Sequence, residues 1–207
     1  MKLKVCGLKN RENIIEVLEY KPDFIGLIFY NKSPRYIGEK LESSFIQDIS
    51  ASKKVGVFVN ESEVKMLDIA SRYGLDYLQL HGNETAGFCG QIQKSIPVIK
   101  AFQIDHDFSF SALNEYEDAC TYFLFDSKSK QYGGSGETFN WKKLKECKLD
   151  KPFFLSGGID LDNIEQVLLL KSEFPNLYAV DVNSRFETEP GIKDIAKIKL
   201  LSNKIYK

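Results

Sequence analysis

The sequence predicts an α/β protein in which eight parallel strands close into a single (βα)8 barrel, and three observations carry that expectation. Short runs rich in β-branched and aromatic residues recur eight times along the 207 residues. Most gaps between them hold a helical pattern, as in ESEVKMLDIASRYG, where Val64, Leu67 and Ala70 are spaced for one helix face. The unit length is near-uniform at about 26 residues, and no Gly-x-Gly-x-x-Gly turn follows the first run. Consecutive parallel strands need a right-handed crossover, usually a helix, so eight such units favour closure over an open doubly wound sheet. No Pro-, Gly- or Ser-rich linker or low-complexity tract divides the chain, so one domain is expected over residues 1–207.

The runs in order are KLKVC, DFIGLIF, KVGVFV, YLQLH, PVIKAF, YFLFD, PFFLS and YAVDV. In the first, the strand period of two puts Leu3 and Val5 on one face and Lys4 and Cys6 on the other. The apolar face should meet the helices, leaving Lys4 and Cys6 inside the barrel. Free cysteine is among the most buried residue types, so read locally Cys6 is a small core residue. Its place at a strand end supports a second reading: a lysine about 7 Å below favours the thiolate and brings the cysteine into use as a base near neutral pH.

The second run leads into FYNKSPRYI, where Lys32 and Arg35 flank Pro34. Two cations at a barrel mouth suit an anionic substrate, and an arginine fork suits a carboxylate; a solvated surface cluster fits the composition equally. The fourth ends in His81, which either donates a hydrogen bond at the mouth or satisfies a strand-end carbonyl. In the sixth, Phe123 and Phe125 share one face, and Leu124 and Asp126 the other. A partly desolvated carboxylate at such a strand end has a raised pKa suited to a general acid, the alternative being a loop-bracing aspartate. After it, SKSKQYGGSGETFNW is too long for a plain βα turn and is expected either to fold over the mouth or to serve as a turn.

The seventh run ends in Ser156-Gly157-Gly158 and the eighth in Asp181-Val182-Asn183, followed by Ser184. Active sites of parallel barrels lie at the C-terminal strand ends, and the loops after strands seven and eight are the usual place for a phosphate. Cys6, His81, Asp126, Gly157, Gly158, Asp181, Asn183 and Ser184 should therefore converge on one mouth.

Hydrophobic residues make up 43% and charged residues 28%, enough to bury a sizeable core. With 28 Lys+Arg against 29 Asp+Glu, the net charge of -1 carries no nucleic-acid footprint, and a small phosphorylated molecule is the expected partner. The start MKLKV has no leader pattern and no stretch reaches membrane-span length, so a cytoplasmic protein without membrane attachment is expected, as a monomer or homodimer. Cys6, Cys89, Cys120 and Cys147 are too scattered for a C-x-x-C pair, and with two histidines, His81 and His106, no metal is expected.

The ordered set KVCGLKN, FIGLIFYNKSPRYI, VGVFVN, LQLHGNE, VIKAF, FDSK with YGGSGETFNW, FLSGGI with DNI, and VDVNSRFE with PGIKD resembles the phosphoribosylanthranilate isomerase family of tryptophan biosynthesis, nearly end to end. The resemblance implies a TIM barrel that performs an Amadori rearrangement without metal or cofactor. It implies Asp126 as general acid, Cys6 as general base, Arg35 on the anthranilate carboxylate, and backbone at Gly157, Gly158, Asn183 and Ser184 on the phosphate. The chain departs from the family's usual D-V-S-S-G-V-E with DVNSRFE, placing Arg185 where glycine is customary, and has Asn140 where aspartate is more frequent. If the backbone there needs φ > 0, Arg185 would be strained; alternatively its cation would strengthen phosphate binding. Two other readings compete. A histidine-pathway Amadori enzyme would carry aspartate in place of Cys6, and a non-catalytic barrel would bind a phosphometabolite without turning it over.

Overall fold

A computed structural model describes residues 1–38, 41–127, 141–148 and 150–206. Eight strands form a closed barrel in sequence order: β1 (Lys2–Val5), β2 (Phe24–Ile28), β3 (Lys53–Phe58), β4 (Tyr77–Leu80), β5 (Val98–Ile104), β6 (Tyr122–Ser127), β7 (Phe153–Ser156) and β8 (Leu177–Val182). All pairings are parallel, and β1 closes on β8 through Lys4 opposite Asp181. The crossover helices are α1 (Arg11–Leu18), α2 (Ser43–Gln47), α3 (Glu63–Tyr73), α4 (Ala86–Gln93) and α5 (Ile164–Glu173), and α6 (Ile195–Ile205) follows the last strand. Between β5 and β6 and between β6 and β7 the described chain forms only 3-10 segments, Phe110–Tyr116 and Trp141–Glu146. The helical pattern expected of most gaps thus shortens in this quarter of the ring.

Side chains at helix starts explain several boundaries. Asn10 accepts from the Asn13 amide at 2.8 Å to open α1, and Asp194 accepts from the Lys197 amide at 3.1 Å to open α6. Such caps satisfy amides that have no partner within the helix. In α3 the buried face runs through Met66, Ala70 and Tyr73, while Val64 is 81% exposed. The face expected through Val64, Leu67 and Ala70 is therefore rotated, because the aromatic ring of Tyr73 and the thioether of Met66 fill the space above the strands.

The core has two layers. Leu3, Val5, Phe123 and Phe125 join the layer between strands and helices. Phe24, Val55, Ile99, Leu124, Phe154 and Ala179 fill the barrel interior, with Tyr77, Tyr122 and Tyr178 packed against them. Edge-on aromatic pairs such as Phe24 with Phe154, 5.2 Å between centroids, close this end. A short antiparallel hairpin, β9 (Glu187–Glu189) and β10 (Ile192–Lys193), follows the β8 loop. Asn13 of α1 binds both backbone groups of Lys193 and ties the hairpin to the barrel wall. Among the described residues no helix is long and apolar enough to cross a membrane.

Candidate active site

The strand period that fills the barrel bottom with apolar side chains continues upward into a buried polar layer. Lys4 is fully buried, and its ammonium donates to Gln79 Oε1 of β4 at 2.8 Å and to Asp181 Oδ2 of β8 at 2.9 Å. Burial opposes the charge on Lys4, but Asp181 and Cys6 beside it hold its pKa above the ordinary lysine value. Burial also pushes the Asp181 carboxyl up, with Lys4 pulling against it and Asp126 adding to the rise. The other oxygen of Asp181, Oδ1, is buried without a hydrogen-bond partner among the described residues, and Asp181 lines the cavity above. An orphaned acceptor of this kind costs about 1–3 kcal/mol unless something donates to it.

Cys6 follows β1 directly, its amide bonded to the Val182 carbonyl at 2.9 Å. The thiol is inside the barrel as expected, at 4% exposure. A Cβ on Gly26 of β2 would lie 2.6 Å from Cys6 Sγ, so only glycine leaves room for the sulfur. The expected depressed thiol is not found. Burial pushes the Cys6 pKa up, and Asp181 adds to this, outweighing the pull of Lys4 and Lys193. Lys4 lies beneath the thiol but is paired to Asp181, so little net positive charge is left to stabilise a thiolate.

Asp126, near the end of β6, carries a side chain 27% exposed, partly desolvated as its strand-end position predicts. Across the mouth, His81 Nε2 lies 3.5 Å from Asp126 Oδ2, and His81 Nδ1 lies 2.7 Å from Gln79 Nε2. The amide of His81 donates to the Phe58 carbonyl, so the backbone satisfies that strand end and the ring is left for the mouth.

A cavity of about 370 Å³ opens above these groups. Cys6, His81, Asp126, Gly157, Gly158, Asp181, Asn183, Ser184 and Arg185 all line it. Gly157 and Gly158 have φ of +88° and +66°, a region that L side chains rarely adopt. Asn163, at the start of α5, donates to the Gly158 carbonyl at 2.8 Å and braces that turn. Arg185 belongs to a 3-10 turn, Ser184–Phe186, and is absent from the non-glycine residues with positive φ, so the feared strain does not arise. Its exposed side chain borders the same cavity.

Arg35 stands apart from this set. Its guanidinium forks onto Glu187 of the hairpin, Nε at 2.9 and 3.0 Å and Nη2 at 2.6 Å, and it does not line the cavity. Burial works against the charge on Glu187, but Arg35 and Lys193 hold its carboxyl below the usual range. The fork expected to be open for a substrate carboxylate is thus held by a protein carboxylate; Nη1 makes no hydrogen bond among the described residues. Lys32 is exposed. Residues 128–140, most of the glycine-rich stretch and including Asn140, lie outside the described residues.

Sequence reasoning missed four residues of this region. Gln79 could have been found from the inward period of YLQLH, and Gly26 from its place opposite Cys6. Glu187 and Lys193 gave no signal, because the hairpin that brings them to Arg35 and Asn183 has no hydrophobic pattern of its own. Among the described residues no group of three or more His, Cys, Asp or Glu is arranged to hold a metal ion.

Fold and mouth together define a (βα)8-barrel protein that gathers a thiol, a carboxyl group and a glycine turn around one cavity at the C-terminal strand ends. The profile of the N-(5'phosphoribosyl)anthranilate (PRA) isomerase family matches residues 3–204, and the chain belongs to that family. It is similar to N-(5'-phosphoribosyl)anthranilate isomerase of Parabacteroides distasonis, 43% identical over 203 residues covering 96% of this chain and 90% of that protein. The crystal structure of phosphoribosyl anthranilate isomerase from Thermus thermophilus matches with TM-score 0.85 at 26% identity, over 100% of this chain and 98% of that one. A phosphoribosyl anthranilate isomerase in complex with reduced 1-(o-carboxyphenylamino)-1-deoxyribulose 5-phosphate matches with TM-score 0.80 at 30% identity, over 98% and 97% of the two chains.

Proposed function

We propose that this protein isomerises N-(5-phosphoribosyl)anthranilate to 1-(2-carboxyphenylamino)-1-deoxyribulose 5-phosphate, with Asp126 as general acid and Cys6 as general base. Asp126 gives its proton to the furanose ring oxygen; the C1–O bond breaks and the nitrogen lone pair closes a C1=N iminium. Cys6, as thiolate, removes the C2 proton, and the C–H electrons flow into the iminium to give an enolamine. The enol proton is lost and C1 gains a proton, leaving the C2 ketone. Atoms are only rearranged, so the sequence of steps calls for no redox partner. A positioned acid or base of this kind contributes about 10²–10⁴ in rate.

The observation that carries this reading is that Cys6 and Asp126, from β1 and β6, line one cavity with the turns after β7 and β8. Backbone at Gly157, Gly158, Asn183 and Ser184 holds the phosphate, and the Arg185 cation adds to it. Asp181 Oδ1, buried and unpartnered, accepts from a substrate hydroxyl. Glu187 holds the Arg35 fork by Nε and Nη2, and Nη1, outside the cavity lining, is the part of it left for the anthranilate carboxylate. Because the resting thiol is pushed up, the thiolate depends on Lys4 and Lys193, the two cations that pull it down.

The test is fluorescence of freshly generated phosphoribosylanthranilate mixed with the purified protein. Disappearance of substrate fluorescence at a rate proportional to protein, with the ketose phosphate as product, is the expected result. Saturable binding with no product would overturn it in favour of a barrel that only binds a phosphometabolite.

A further inference from the structure

The polar layer beneath the mouth has a direction built into it. A lysine ammonium can only donate, so the Lys4 bond at 2.8 Å requires oxygen at that end of the Gln79 carboxamide. The NH₂ group must then point upward, where it lies 2.7 Å from His81 Nδ1. That NH₂ can only donate as well, so Nδ1 must accept. A neutral imidazole that accepts at Nδ1 carries its proton on Nε2. Nε2 is the nitrogen that faces Asp126 Oδ2, at 3.5 Å, and catalytic hydrogen bonds are often this long until substrate binds. Lys4 and Gln79 are fully and almost fully buried, so solvent does not compete for these bonds.

We propose that Lys4 and Gln79 are positioning residues that lock His81 in its Nε2–H tautomer, so that the ring donates to Asp126 Oδ2 and leaves Oδ1 to carry the proton for the substrate. The catalytic part of this inference rests on the proposed role of Asp126; the tautomer rests on the hydrogen-bond directions alone. His81 thereby supports the carboxylate that remains once the proton has left. The same ammonium is bonded to Asp181 Oδ2 at 2.9 Å, so its position is fixed by two acceptors from β4 and β8.

The chain has only two histidines, so the nitrogen spectrum of a ¹⁵N-histidine-labelled sample is simple to assign with a His106→Gln variant. The expected spectrum has His81 with a bare Nδ1 and a protonated Nε2. Gln79→Glu is isosteric and keeps the partner of Lys4, but offers an acceptor to His81; it should move the proton onto Nδ1. Gln79→Leu should give a mixture of tautomers. In both variants kcat is expected to fall about tenfold or more while KM stays close to wild type, the usual effect of losing an orienting partner. A wild-type His81 with its proton on Nδ1, or variants whose tautomer or kcat does not change, would overturn the proposal. A wild type that shows the expected tautomer yet converts no substrate would overturn the function proposed for Asp126 and leave the tautomer standing.

Discussion

Gly26→Ala tests the placement of the Cys6 sulfur without touching the thiol itself. The new Cβ would sit 2.6 Å from Cys6 Sγ, 3.0 Å from its Cα and 3.1 Å from its Cβ. Non-bonded heavy atoms rest at about 3.5–4.0 Å, so the thiol must retreat by about 1 Å, and the backbone contacts prevent the strain from being absorbed by a side-chain rotation alone. Overpacking of this kind costs about 1–3 kcal/mol, which lowers Tm by about 2–12 °C in a chain of this size. A displacement of about 1 Å at a reacting group costs about 10²-fold in rate. The assay is kcat and KM from substrate fluorescence, paired with a thermal melt. The expected outcome is a large fall in kcat, a modest fall in Tm and an unchanged KM. In a Cys6→Ala background the same substitution should cost nothing further in kcat, because the group it displaces is gone. Wild-type kcat in Gly26→Ala, with the expected loss in Tm, would refute the reasoning: the sulfur's position would then be immaterial to the chemistry.

Three further outcomes are expected. Because burial raises the Cys6 thiol, its rate of alkylation by a small reagent, read by mass spectrometry, should climb with pH through neutrality and level off only above the ordinary cysteine value; a rate already flat at pH 7 would contradict this. Asp23, Glu84 and Glu187 all have pKa values held below their usual range, by Lys2, Lys100 and Arg35 among others, against the effect of burial. Their stabilisation is complete above the unfolded carboxylate range near 4 and is lost as pH falls through the depressed values, so Tm should be level from pH 7 to about 5 and drop below about 4. Glu84→Gln should flatten part of that drop in thermal melts. Arg185→Gly should raise KM more than it lowers kcat, and the difference should shrink in high salt, since Arg185 is an exposed cation at the cavity proposed to hold the phosphate.

Much of the barrel was legible because a parallel strand with one face to helices and one to the interior writes its period into the sequence. Leu3 and Val5 against Lys4 and Cys6, and Phe123 and Phe125 against Leu124 and Asp126, fall on the faces that alternation assigns. The mouth followed from strand ends alone. What alternation does not encode is what one inward side chain does to another. Lys4 was visible as a cation under Cys6, but Asp181, which takes up its charge, comes from 177 positions away. Arg35 looked open because the Glu187 that occupies it is 152 positions distant, on a hairpin with no hydrophobic pattern. The face of α3 was misplaced for a related reason: Met66 and Tyr73 bury more surface than the Val64 spacing could reveal.

The measurement closest to the central claim is single-turnover conversion of phosphoribosylanthranilate by wild type, Cys6→Ala and Asp126→Asn, each shown by circular dichroism to be folded. The expected result is turnover by the wild type and a loss of about 10²–10⁴-fold in each variant, with substrate binding retained. Wild-type rates in either variant would contradict the assignment of that residue, and with it the pairing of a thiol from β1 and a carboxyl from β6 as the base and acid of this barrel.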